Sequence, residues 1–470
     1  MKPIKGIARL PDVYIPPFPA RPATPLNPVR AVLRARRNLL AIWHEAAFEK
    51  YMMTAKLPAR RIVVVNALDA IRQIFIENPE VYEPKSPQMR QALTPLLGDG
   101  LFVSDGEVWR RRRAWVAPAL ESAQLSHYAP LMAECAEATA ARWAEAPPGK
   151  TIDVLGEMAM LAARIIGRTV FGDGIPDHEA ERVVRGFSDY QAVIGQMDLI
   201  AMLGGPSWLS SGKPNRRARR AAQSAHETVD RILARAGRDG KDMRLAVALL
   251  GSASDAEEDP AAALRNEALV LFMAGHETTA NTLAWAWSLI AGRTDIEQML
   301  HEELASVLAG RTPTLEDVRR LPVTRAIIEE TLRLYPPVPL LTREATGPDT
   351  LRDTRIDKGD LVIIAPWLVH RHKRYWDNPD AFMPERFMPG AQTKPLKFSY
   401  LPFSGGPRIC LGARFGLVEA ILCLATLAQQ FRLTALPGRQ PEIECRLTLR
   451  PRGGLPMSLE RREAPRRAAS

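Results

Sequence analysis

The sequence is short of cysteine, with Cys135, Cys410, Cys423 and Cys445 the only four in 470 residues. None forms a CxxC pair, which argues against zinc ribbons and thioredoxin-like chemistry. Scattered cysteines without a signal peptide point to a reducing compartment and a cytoplasmic protein. No stretch offers the ~18 uninterrupted apolar residues of a spanning helix. The opening MKPIKGIARLPDVYIPPFPARPATP lacks an apolar core, so it reads as neither secretory signal nor membrane anchor. The GxxxxGKS/T phosphate loop and the GxSxG nucleophile elbow are also missing.

What is present is ordinary globular material, 46% hydrophobic and 25% charged, with a net charge of +10. Length alone suggests about three domains of roughly 150 residues, but the motifs below favour one. The arginines are scattered apart from Arg110 to Arg113, Arg216 to Arg220 and the tail after Glu460. No basic stripe is interleaved with aromatics, so nucleic acid is disfavoured as a partner. An acidic protein partner remains open.

Residues 1–28 are proline-rich and read as an extended arm. Arg61 to Asn66 reads as a buried strand and Ala67 to Glu77 as a helix with Asn66 as N-cap. Residues 84–103 read as a long loop. Helical periodicity dominates from Glu107 to Ala236, broken at Gly204-Gly205-Pro206 and at Ser210 to Pro214. A long helix is predicted from Pro260 to Gly292. The next carries a capping-box signature, Thr294 with Glu297. Another runs from Thr314 to Tyr335 and stops at Pro336-Pro337. Leu361 to Ile364 reads as a strand, and an apolar helix runs from Cys410 to Phe431. The fold class is mainly α, with small sheets.

The most informative segment is Phe403-Ser-Gly-Gly-Pro-Arg-Ile-Cys-Leu-Gly412. A cysteine between a glycine-rich turn and a helix N-terminus is placed to become a thiolate. Gly406 and Gly412 let the backbone approach a flat cofactor. Arg408 can reach a carboxylate at the cofactor's edge, and Phe403 can shield the sulfur. The plain alternative, a buried cysteine acting as a small hydrophobe, suits Cys135, Cys423 and Cys445. For Cys410 it fails, because five constrained positions coincide. The segment resembles the haem-binding loop of the cytochrome P-450 superfamily, Phe-x-x-Gly-x-Arg-x-Cys-x-Gly. The resemblance implies that Cys410 is the axial ligand of haem iron, a thiolate that favours O–O cleavage.

Within the long helix lies Ala274-Gly-His-Glu-Thr-Thr279. Gly275 is a poor helix former, and Thr278 can bond back to the Ala274 carbonyl. Both favour a bulge or kink. Alone, the six residues would read as a polar turn on an amphipathic helix. Beside the cysteine loop they are similar to the family's oxygen-binding motif. That similarity makes Ala274 and Gly275 the groove beside the iron, and Glu277 and Thr278 the proton-delivering pair. His276 takes the variable position and receives no role.

Glu330-Thr-Leu-Arg333 puts opposite charges on one helical face. Pro384-Glu-Arg-Phe387 resembles the family's Pro-x-Arg-Phe segment, so Glu330, Arg333 and Arg386 are expected to form a buried structural cluster. Trp109 and Arg113 share a helical face and resemble the family's Trp-x-x-x-Arg pair, which implies contact with a haem propionate. Arg343, in Val338-Pro-Leu-Leu-Thr-Arg343, matches a further propionate ligand. Arg110, Arg111 and Arg112 must point elsewhere, and some of them then form a basic outer face. His370-Arg-His372 lacks the carboxylates of a metal site and reads as structural.

The resemblance spans Arg61 to the helix after Cys410. It implies one mainly helical cytochrome P-450 domain over residues 29–460, with a basic tail at 461–470, enclosing haem b. The implied reaction inserts one atom of O2 into a small hydrophobic substrate. Val270, Met273, Ala274 and Thr278 would stand over the haem, and the segments 83–102 and 338–341 would form walls. No flavin or iron–sulfur motif is present. Electrons are therefore expected from NAD(P)H through a separate ferredoxin or flavodoxin and its reductase, docked on the basic face of a monomer. The rival readings are a peroxide-using, isomerase or dehydratase enzyme of the same fold, a non-catalytic haem protein, and a basic nucleic-acid binder.

Overall fold

The computed structural model describes residues 13–56, 60–172, 177–194, 216–239, 259–445 and 447–462. The predicted breaks at 204–206 and 210–214 lie outside these residues, as do most of the basic tail and the start of the arm. The helices are α1 Pro28–Arg37, α2 Leu68–Arg72, α3 Pro87–Leu97, α4 Gly106–Val116, α5 Leu125–Ala144, α6 Val154–Phe171 and α7 Asp177–Ile194. They continue with α8 Arg216–Asp239, α9 Pro260–Ala291, α10 Thr294–Leu308, α11 Pro322–Leu334, α12 Pro366–Val369 and α13 Ala413–Gln430.

The spine is α9. Its start is fixed by Pro260 in the first turn and by Asp259, whose side chain accepts from the Ala262 N–H at 3.0 Å. Side chains on all of its faces are buried, as expected of a helix with no wet side. Helix α6 crosses it at Gly275. A Cβ there would lie 2.7 Å from Ile166 Cγ1, so this glycine serves close helix packing. The helix is unbroken where a bulge or kink is expected: the backbone stays α-helical from Pro260 to Ala291. The threonine back-bond is present nonetheless, Thr278 Oγ1 donating to the Ala274 carbonyl at 2.7 Å.

The main sheet has the order β1-β2-β7-β4, from Met52–Lys56, Arg61–Val65, Leu361–Ile364 and Leu341–Glu344. Strands β2 and β7 run parallel and buried, with Val63 opposite Val362. Arg343 pairs with Val362 across the β4–β7 ladder, which holds this arginine at the inner edge of the sheet. Outside it lie β3 Lys150–Asp153, β5 Asp349–Leu351, β6 Thr354–Ile356 and β8 Phe431–Ala435, while β9 Ile443–Cys445 and β10 Leu449–Pro451 form a hairpin beside α9.

Several expectations are corrected. The 84–103 loop contains α3, capped by Ser86 Oγ, which accepts from the Met89 N–H, and opened by Pro87. Asn66 does not cap α2; its amide donates to the carbonyls of Ala47 and Lys50 at 3.0 and 2.9 Å. Thr294 is the first residue of α10 rather than its cap, and Glu297 is drawn to Arg432 at 2.9 Å. The helix expected from Thr314 divides into a 3-10 turn, Glu316–Arg320, and α11, because Pro322 disfavours a helical Leu321. Helix α13 starts at Ala413, three residues after Cys410.

Two polar contacts tie this core together. Arg333 donates from Nε and Nη2 to the Glu330 carboxylate, both at 2.7 Å, and to the carbonyls of His370 and Ala381, both at 2.8 Å. Arg386 Nε stands 3.5 Å from Glu330, and both helical partners are fully buried. His370 joins them by accepting from the Leu401 N–H at 2.7 Å on Nε2, so Nδ1 carries the proton that meets the Arg333 carbonyl. Burial lowers the His370 pKa to about 3, which keeps it neutral. Its partner in sequence, His372, stacks between Tyr51 and Tyr375.

The second contact joins α9 to α13: Thr279 Oγ1 donates to Glu419 Oε2 at 3.1 Å, while Glu419 Oε1 is buried without a partner. Burial raises the Glu419 pKa from 4.5 to about 8, against the pull of that hydrogen bond.

Arg333→Leu will leave the buried Glu330 carboxylate with only the more distant Arg386 as a cation, and denaturant unfolding will show a loss of about 3–5 kcal/mol. For Glu419, the folded protein keeps a proton that the unfolded chain releases near pH 4.5, so stability falls as pH rises towards 8. Glu419→Gln removes that loss. Its melting temperature will exceed the parent's above pH 8 and match it near pH 4.5, a gain on the order of a few kcal/mol at the alkaline end.

Candidate active site

The cysteine loop is braced from within. The Cys410 N–H donates to the Phe403 carbonyl at 3.0 Å, and the Ile409 N–H to the Gly406 carbonyl at 3.1 Å. Gly406 adopts φ +67°, and a Cβ there would lie 2.4 Å from the Phe75 carbonyl oxygen. Its lack of a side chain therefore serves the packing of protein on protein. Gly405, which the motif does not mark, meets the Phe75 ring in the same way. Gly412 is the N-cap of α13, and its N–H bonds to the Cys410 sulfur.

Cys410 is exposed, the one cysteine of the four that is not buried. Burial raises its thiol pKa, more than the Gly412 N–H, Arg113 and Lys85 lower it. The expected acidic thiol is thus not a property of the loop alone. On α9, Ala274 is exposed and Thr278 partly exposed amid buried neighbours. One turn apart, they present an accessible face of the helix. The two elements meet where Gly416 of α13 lies against Thr279.

Beside the sulfur lies a concentration of positive charge. Arg343 is buried, and burial together with Arg408 lowers its pKa to about 10. Arg408 donates to Asp105 Oδ1 at 2.7 Å and to the Ser104 carbonyl at 3.0 Å, with its guanidinium 4.4 Å from the Trp109 ring. Its Nε is buried with no partner. Arg113 lies 5.6 Å from the same ring and donates to the Ile409 carbonyl at 3.1 Å. The sequence reading missed Lys85. This fully enclosed ammonium bonds to the Phe102 carbonyl, and burial, then Arg408 and Arg343, push its pKa well down. It went unseen because it sits in the stretch read as loop; the Ser86-Pro87 pair, a cap followed by a first-turn proline, was the available signal.

Lys85, Arg343 and Arg408 thus share one carboxylate, Asp105, whose other oxygen already binds Arg90 at 2.5 Å, and Glu83 acts on Arg408 besides. An arrangement with surplus positive charge of this kind calls for an anion. A planar group with acidic substituents on one edge and a soft-ligand metal at its centre fits this donor set: cations and an unpartnered Arg408 Nε at the edge, a cysteine beside them. Phe403 packs against the core alongside.

Glu277 does not share the accessible face of Thr278. It is buried, and its Oε1 accepts from Thr448 Oγ1 at 2.7 Å in the β9–β10 hairpin. His276 is buried against Phe187 and Phe272, with Nδ1 2.9 Å from the Phe272 carbonyl. Val270 and Met273 are buried on α9. The expected outer arginines separate. Arg110 is exposed and pairs with Glu83 and Glu107, whereas Arg112 turns inward to Asp99 and Glu267.

Comparison with known proteins agrees with this geometry. The family model described as Cytochrome P450 matches residues 22–455. Cyclooctatin synthase of Streptomyces melanosporofaciens is 33% identical over 402 residues, covering 82% of this chain and 83% of that protein. Pentalenene oxygenase of Streptomyces avermitilis is 29% identical over 375 residues, covering 78% of this chain and 81% of the relative. The crystal structure of the cytochrome P450DA heme domain superposes with a TM-score of 0.76 at 23% identity, covering 88% of this chain and 90% of that one. A family match over nearly the whole chain, on the fold that carries the cysteine loop and its cationic surroundings, establishes that this protein belongs to the cytochrome P450 family.

Proposed function

We propose that this chain is a haem-thiolate monooxygenase of small hydrophobic molecules, with Cys410 as the axial ligand of haem b. The observation that carries the proposal is Cys410, exposed on its braced loop beside cations in excess of the carboxylates that act on them. Arg343, Arg408 and Lys85 hold the propionates, with Trp109 and Arg113 at the same edge. When bound, haem supplies the activation of O2. Burial keeps the thiol protonated until a metal cation is present, so proton loss and ligation are coupled.

Thr278 stands on the accessible face of α9 with its hydroxyl fixed on the Ala274 carbonyl. It is placed to orient a proton at Oγ1. Glu277 is the proton source in this reading. Its carboxylate is held by Thr448, so delivery towards the Thr278 face requires that hydrogen bond to break. Val270, Met273 and Ala274 line the substrate space as a mainly apolar wall. A terpene-type hydrocarbon is the substrate class most in keeping with relatives named for cyclooctatin and pentalenene.

Electrons derived from NAD(P)H reach the site from a ferredoxin or flavodoxin with its own reductase. Arg110, with Arg111 beside it on α4, forms the docking face; Arg112 and Arg113 take no part in it. We further propose that residues 29–460 act as one domain, and that the enzyme is a cytoplasmic monomer. Among the described residues no helix is long and apolar enough to cross a membrane.

The decisive experiment is the spectrum of the reduced carbon monoxide complex. The parent protein will show the thiolate-type Soret band, and Cys410→Ala will lose it; a parent spectrum typical of nitrogen ligation would overturn the proposal. Thr278→Ala will keep that band but divert electrons to hydrogen peroxide, lowering product formed per electron pair by roughly tenfold or more. Product and peroxide measured together will show this.

A further inference from the structure

Glu267 is a buried carboxylate that the oxygen motif does not include. It sits on α9 two turns before Ala274, is 1% exposed, and accepts from the Leu101 N–H at 2.9 Å on Oε1 and 3.2 Å on Oε2. Arg112 of α4, equally buried, reaches within 3.5 Å of it. Arg112 Nη2 also donates to both oxygens of Asp99, at 3.2 and 3.1 Å, and Asn266 Nδ2 donates to Asp99 Oδ1 at 3.0 Å. Every member of the cluster touches the short segment between α3 and α4.

That segment needs holding. It reads Gly98-Asp-Gly-Leu-Phe-Val103, and glycine gives a chain more freedom to lose than any other residue. Gly98 takes φ +56°, and a Cβ there would overlap the Asn266 side chain. A Cβ on Gly100 would lie 2.7 Å from Val270 Cγ2. The glycines thus lie flat on the face of α9 made by Asn266, Glu267 and Val270. The chain leaves this seat at Leu101 and Phe102, and the Phe102 ring lies 3.4 Å from the Lys85 ammonium, inside the cationic cluster. The main-chain bond at Leu101 is therefore the last fixed point before the wall of the substrate space. A charge-assisted bond to a buried carboxylate is a strong way to fix it.

We infer that Glu267 and Arg112 are positioning residues that set the shape of the substrate space, by clamping the glycine-rich segment to α9 and α4. Helix α4 then has two tasks. Trp109 and Arg113 face the cysteine loop, while Arg112, turned away by one helical step, fixes the opposite wall. The inference rests on the haem-thiolate reading, since its readout uses ligands of the iron.

The test compares imidazole with 4-phenylimidazole by difference spectroscopy on the haem-loaded protein. Both need the iron, and only the second needs a formed wall. In Glu267→Leu, the imidazole Kd is expected to stay within about twofold, while that of 4-phenylimidazole weakens by roughly fivefold or more, the effect of re-ordering a released segment. Because losing Glu267 leaves the buried Arg112 only the half-exposed Asp99 as its carboxylate and could unfold the protein, the double variant Glu267→Leu/Arg112→Met is measured beside it. It removes both charges, so it restores the melting temperature without restoring the ratio of the two affinities. Asp99→Asn, at the exposed rim of the cluster, gives a smaller shift in the same direction. An unchanged ratio in a folded, haem-loaded Glu267→Leu or double variant overturns the clamp. A parent protein without the thiolate-type carbon monoxide spectrum overturns the haem reading instead.

Discussion

Positive charge held inside a low-dielectric core is the constraint around which this protein is arranged. Lys85, Arg343, Arg408 and Arg113 converge from four separate segments, and Asp105 is the carboxylate that Lys85, Arg343 and Arg408 share, with Glu83 acting on Arg408 as well. Burial depresses the pKa of every one of these cations. Such a cluster is unfavourable by itself and favourable around an anion. The elements that carry it must therefore be held by other means, and the structure shows how. Arg343 is fixed by the β4–β7 ladder, Arg408 by the braced cysteine loop, Lys85 by the bridge to Arg343 and by the Phe102 carbonyl.

Helix α9 carries the remaining order. It meets α6 at Gly275, α13 through Thr279 and Glu419, the β9–β10 hairpin through Glu277 and Thr448, and the glycine segment through Glu267. These polar contacts leave α9 on different faces. In the middle of the helix the Ala274–Thr278 face stays accessible, and the proposed chemistry is assigned to it. The Glu330–Arg333–Arg386 cluster does a separate task behind α11. It collects carbonyls from 370–381 and so fixes the stretch, rich in turns, that leads to the cysteine loop.

Much of this was legible in local sequence because it depends on local chemistry. Pro260 and Pro366 open helices, Val-rich runs become buried strands, and Glu330 with Arg333 falls on one helical face. Readings failed where a side chain had a better partner far away in sequence. Asn66 leaves its helix for Ala47 and Lys50, Glu297 leaves its cap for Arg432, and Arg112 leaves the surface for Glu267. Glycine was read as a mark of close approach at Gly406, where Phe75 is what approaches, and as a helix breaker at Gly275, where its role is packing against Ile166.

By itself, then, the sequence determined the helical class, the long central helix and the cysteine segment, because periodicity, caps and a ten-residue pattern are properties of neighbouring residues. The tertiary structure alone decided that Lys85 joins the cations, that Glu277 faces Thr448, and that the Cys410 thiol is raised rather than lowered. The physical reason is common to all three. Desolvation and long-range pairing depend on what surrounds a group in space, and neighbours in space are not neighbours in sequence.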